Sequence, residues 1–172
     1  MLGFIGIINT IMELKISDPF WQVVGLGALA GMRSTSAPVI VSHILSHHQS
    51  RNLDRSPLKF MQSRNIALAL KILAVGEIIG DKLPSAPNRI KPGSLIFRML
   101  SGALAGASVY KATGSKAATG ALIGSAAAFA STFGSFWLRK DAVKASNVTD
   151  PFVGAIEDAL VIGSGMEFSS AA

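Results

Sequence analysis

Glu77 and Asp81 stand four residues apart, and Lys82, Pro84, Pro87, Arg89 and Lys91 follow them. On a helix that spacing puts both carboxylates on one face. Two chemistries suit such a pair. The first is a polar site on a small-ion path. Its residues would be Arg33, Ser34, Glu77, Asp81, Lys82, Arg89, Arg98, Glu157 and Asp158, and of these Arg33, Glu77, Asp81, Arg98, Glu157 and Asp158 fall within or at the ends of apolar segments. The second is a Mg²⁺ site in a membrane-embedded enzyme, with Lys82 and Arg89 clamping the phosphate of a phosphorylated lipid. The enzyme reading lacks a nucleophile–base pair: the histidines lie in a different connection. A third reading is structural, with the charges paired only for packing. A charge at the centre of a span costs roughly 2.5 to 3.5 kcal/mol on insertion scales, so the charges are expected to pair or to face water. Arg33 and Arg98 are the natural counter-ions for the acids.

Other residue types offer less. His43 and His47 share a helix face, but no third ligand follows at a suitable spacing, and a wet helix end is the plainer reading. No cofactor is expected, and whether a metal binds is left open. Lys82, Arg89 and Lys91 on a loop stiffened by Pro84, Pro87 and Pro92 suit headgroup phosphates. Three small-xxx-small motifs recur: Gly27 to Gly31, Gly102 to Gly106 and Gly120 to Gly124. Small residues let helix backbones approach closely, so these glycines predict a tight bundle, a homo-oligomer, or both. Their similarity (Gly-Ala-Leu-Ala-Gly twice, Gly-Ala-Leu-Ile-Gly once) and the two Asp-Pro-Phe starts at Asp18 and Asp150 are what an internal repeat would leave, as in many transporters.

The elements that must position these residues are helices. Ser17-Asp18-Pro19-Phe20 is a helix start, with a capping side chain before proline at the first helical position. The first apolar run is interrupted at Arg33-Ser34-Thr35-Ser36-Ala37-Pro38 and resumes to Leu45, which predicts one broken span with Arg33 at depth. A polar connection reaches Arg64. Further helices are expected over Asn65–Gly80, about Ser94–Tyr110, Ala117–Leu138 and Phe152–Met166, with a polar loop over Asp141–Val148. The result is an all-α polytopic transmembrane bundle of about five spans. Residues 17–168 form the helical domain, residues 1–16 an interfacial segment too short for a span of roughly 20 residues, and 169–172 a tail.

Composition supports this class. Of 172 residues, 49% are hydrophobic and 15% charged, against roughly 25% charged in soluble domains. Too little polar side chain is available to cover a wet surface. The net charge of +6 is distributed between apolar segments rather than gathered in one patch, which fits loops on anionic lipid and not nucleic acid. Without cysteine there is no disulfide or thiolate site.

Gly31-Met-Arg33-Ser34 with Pro38, Gly76-Glu77 through Asp81-Lys82-Leu-Pro84 with Pro87 and Arg89, Arg98 with Gly102 to Gly106, and Glu157-Asp158 together resemble the domain-of-unknown-function family numbered 4126, a group of predicted membrane proteins. The resemblance covers roughly Phe20 to Gly163. It implies an integral membrane protein, in the cell membrane or an organelle membrane, and implies no activity. A transporter or channel with membrane lipids as neighbours and a small ion or anion as substrate is the reading these residues favour.

Overall fold

The computed structural model of the protein describes residues 18–80, 91–146 and 163. These are helical or in short turns, with no strand among them. In chain order the helices are α1 (Pro19–Met32), α2 (Ser36–His47), α3 (Arg64–Gly80), α4 (Pro92–Ala112) and α5 (Ala117–Ser146). Two 3₁₀ turns, Arg51–Leu53 and Pro57–Gln62, lie between α2 and α3. The 1–16 segment, the Lys82 and Arg89 loop and, apart from Gly163, the Phe152–Met166 helix fall outside the described residues.

The starts and stops follow the local chemistry. The Asp18 carboxylate accepts from the Phe20 N–H at 2.9 Å, and Pro19 takes the first helical position. Ser50 and Ser56 cap the two 3₁₀ turns. At the end of α4 Gly114 adopts φ +82°, and the Ser115 N–H reaches back to the Tyr110 carbonyl. This is the left-handed stop that glycine makes without a Cβ clash. The polar loop expected at Asp141–Val148 is helical as far as Ser146, because Ala142, Lys144 and Ala145 favour helix and no glycine or proline intervenes.

The helix contacts fix chain direction. Gly102 and Gly106 of α4 meet Gly124 and Gly120 of α5, so these two helices are antiparallel. Gly27 lies against Gly124, and Gly31 against Ala128 and Thr132, so α1 runs parallel to α5. Val23 touches the Gly106 site while Arg98 reaches Gly31 and Met32, so α1 opposes α4. The chain then turns back. Ser34 contacts Ser101, and Ser50 contacts Ala112, so α2 runs with α4. Accordingly, the expectation of one broken span is corrected. The break is present, but α1 and α2 form an antiparallel hairpin with its tip at Arg33-Ser34-Thr35. The sequence pattern of an interrupted apolar run is the same whether the chain continues or reverses.

The hairpin brings the start of α1, the end of α2, the 3₁₀ turns and the α4–α5 turn to one end, here called the base. The tip lies level with Arg98, six residues into α4, about 9 Å along its axis at 1.5 Å per residue.

Packing is built on small residues. A Cβ on Gly102, Gly106, Gly120 or Gly124 would strike a backbone carbonyl of the facing helix, which cannot give way. The six motif glycines are therefore occupied inside one chain, which removes the motif that suggested a homo-oligomer. Hydroxyls add hydrogen bonds: Ser131 Oγ donates to the Ala28 carbonyl, and Thr132 Oγ1 to that of Ala128, both at 2.7 Å. On α3 the inward stripe is Ala67, Leu70, Ala74 and Glu77, while Leu68, Ile72, Leu73, Val75 and Ile79 are exposed.

Candidate functional site: the hairpin tip

At Arg33-Ser34-Thr35 two helix ends meet. The N-terminus of a helix carries a partial positive charge and its C-terminus a partial negative one. Here each end is met by a side chain of opposite sign. Glu77 of α3 lies at the entrance to α2. Its Oε1 accepts from the Ser34 N–H at 2.9 Å and from the Ser34 hydroxyl, and its Oε2 accepts from the Thr35 N–H at 3.0 Å and the Thr35 hydroxyl at 2.5 Å. Two successive N–H groups and two hydroxyls thus form a cradle for one carboxylate.

Arg98 of α4 serves the other end. Its Nη1 donates to the carbonyls of Gly31 and Met32, each at 2.7 Å, the last carbonyls of α1. Its Nε is 3.4 Å from Ser94 Oγ. The side chain is only 4% exposed. Ser101, one turn on, donates its hydroxyl to the Ser34 carbonyl, and Ser36 Oγ donates to the Arg33 carbonyl at 2.7 Å. Among the described residues every buried side-chain nitrogen and oxygen has a hydrogen-bond partner.

The placement of the expected residues is therefore mixed. Ser34, Glu77 and Arg98 converge on the tip, and Arg33 is buried in it. The Arg98 Nη1 serves carbonyls, and the Glu77 carboxylate is held by Ser34 and Thr35; the expected pairing of Arg33 and Arg98 with Asp81, Glu157 or Asp158 falls outside the described residues. Asp81, Lys82, Arg89, Glu157 and Asp158 lie outside the described residues. Lys91, exposed, precedes the first residue of α4. Thr35 and Ser101 were not singled out from sequence. The available signals were the Ser34-Thr35 pair just ahead of a helix start and the three-residue spacing from Arg98 to Ser101.

The histidines are elsewhere. The His43 and His47 rings meet edge to face at 4.8 Å, and His43 Nδ1 is 3.2 Å from Lys71 Nζ. No three metal-ligating side chains gather among the described residues.

A family model described as Domain of unknown function (DUF4126) matches residues 21–166. The chain belongs to that family. No curated protein and no solved structure matches it. The DUF4126 match takes in the hairpin from Trp21 on and every residue that holds its tip: Glu77, Arg98 and Ser101 as well as Ser34 and Thr35.

Proposed function

We propose that this is an integral membrane protein of the transporter or channel class, with α1 and α2 as a re-entrant hairpin and its tip as the small-ion site. Ala117–Leu138 is long and apolar enough to cross a bilayer, and only 22% of its most apolar window is buried in the protein. The apolar side chains left outside on α3, and Ile96, Phe97 and Leu100 on α4, are costly to hydrate. At 14 and 12 residues, α1 and α2 reach about 21 and 18 Å, short of a hydrocarbon core of about 30 Å. Entering and leaving by one side suits them.

The observation that carries the reading is Glu77 in its cradle of four donors at the tip. Irregular backbone at membrane depth is tolerated where it is buried in protein or lines a water-filled path. Half-helix ends facing ionisable groups are how many transporters hold their substrate ions. Glu77 would be the group whose charge is exchanged as an ion passes, with Ser34 and Thr35 as the donors it releases. A structural reading draws on the same saturation. With each oxygen engaged twice, Glu77 and Arg98 would pin the hairpin and conduct nothing. The engaged oxygens also argue against a Mg²⁺ site at Glu77.

Proteoliposome flux separates the two. Protons, monovalent cations and small anions would be tested with the wild type and with Glu77→Gln. The transport reading expects a selective flux that Glu77→Gln alters while the variant stays folded. An absence of flux for the whole panel, with Glu77→Gln lowering only the unfolding temperature, would establish the structural reading instead.

A further inference from the structure

We infer that the base of the bundle is a built docking face for anionic phospholipid headgroups. The inference rests on the membrane placement above and is independent of the ion site. The base collects Arg51, Arg55, Lys59, Arg64, Lys111 and Lys116. Among the described residues, two carboxylates stand against these six cations. Asp18 is engaged in capping α1, and Asp54 lies 3.4 Å from Lys59 Nζ. Arg51, Arg55, Arg64 and Lys116 are exposed.

The platform under these cations is rigid. The Ser50 hydroxyl and the Asn52 amide both donate to the Ala112 carbonyl, at 2.8 and 3.0 Å, tying the connection to the end of α4. The Ser50 N–H donates to Gln62 Oε1 at 2.6 Å, and Ser42 Oγ to the Met61 carbonyl at 2.9 Å. Leu53 and Met61 are fully buried beneath it. A connection of this length with such anchoring holds its cations in place before any ligand arrives, which lowers the ordering cost of binding.

What surrounds the cations selects the partner. Phe20, Trp21 and Phe60 are each rather less than half exposed at this same end, and aromatic rings of that kind sit at the headgroup level of a bilayer. From Arg64 the exposed apolar face of α3 begins within one turn, at Leu68. Cations, aromatics at the same end, and a mainly apolar surface beyond them match a bilayer crossed from headgroup to hydrocarbon. A nucleic acid has no layer to match the third.

The test uses the full chain in nanodiscs of zwitterionic lipid, with and without an anionic phospholipid, read by native mass spectrometry of the lipids retained. The wild type should retain the anionic over the zwitterionic lipid. The triple variant Arg51→Gln/Arg55→Gln/Arg64→Gln should lower that preference by on the order of tenfold or more. Equal retention of the two lipids by the wild type would overturn the inference, as would a preference that survives in the triple variant. Tighter binding of an RNA oligonucleotide than of anionic lipid, lost in the same triple variant, would also overturn it and make nucleic acid the partner. Failure of the chain to enter nanodiscs at all would remove the membrane placement itself and the inference with it.

Discussion

At the scale of single residues, the tip is a lock in which opposite charges face opposite helix ends. Glu77→Gln keeps the shape but replaces one acceptor oxygen with a donor NH₂ facing the Thr35 or Ser34 donors. The expected cost is about 1 to 3 kcal/mol, measured as a lowered thermal midpoint in detergent. Arg98→Met removes two charge-assisted bonds to the Gly31 and Met32 carbonyls. The expected loss is about 1.5 to 3 kcal/mol or more, read by the same melt. A midpoint unchanged in either variant would contradict the lock. The residue types were legible in the sequence: Ser34, Glu77 and Arg98 stand out as polar groups in apolar runs. Their pairing was not. Opposite charge suggests that Glu77 meets an arginine, whereas the helix ends offered each residue a partner in the backbone. That competition depends on where the helices stop in space.

Among the helices, glycine decides the packing. Gly106→Ala would drive a methyl into the Gly120 carbonyl and to within 2.8 Å of Val23 Cγ1. Overpacking of this kind typically costs about 1 to 3 kcal/mol, and backbone that cannot move pushes the figure upward. Gly76 has nothing within 4 Å of its added Cβ. Gly76→Ala should therefore leave the fold intact and, in mid-helix, add about 0.5 to 1 kcal/mol. Thermal melts of the two variants side by side check the contrast, and equal effects would contradict it. The sequence placed the starts of α1 and α3 and the span of α4 within about two residues, because caps, prolines and periodicity are local signals. The reversal between α1 and α2 was not legible. Arg33 to Thr35 breaks the helix in either case, and only the contacts of Gly31 with Thr132 and of Ser50 with Ala112 show which way the chain goes on.

At the scale of the molecule, one end carries the hairpin base with its cations and aromatics, and the bundle's flanks are apolar. Composition argues for a membrane protein, since 15% charged residues leave little to cover a wet surface, and Ala117–Leu138 is long and apolar enough to cross a bilayer. The hairpin was not legible, because α1 and α2 read in sequence as one interrupted apolar run. The chain contains no cysteine, so a single introduced thiol reports its own side of the membrane without background. Side-specific labelling of Asp18→Cys, Gln49→Cys, Ser115→Cys and Lys91→Cys in sealed vesicles tests the re-entrant hairpin most directly. Asp18→Cys, Gln49→Cys and Ser115→Cys should label from one side and Lys91→Cys from the other. Labelling of Asp18→Cys and Gln49→Cys from opposite sides would contradict it, because α1 and α2 would then cross the bilayer as one broken span.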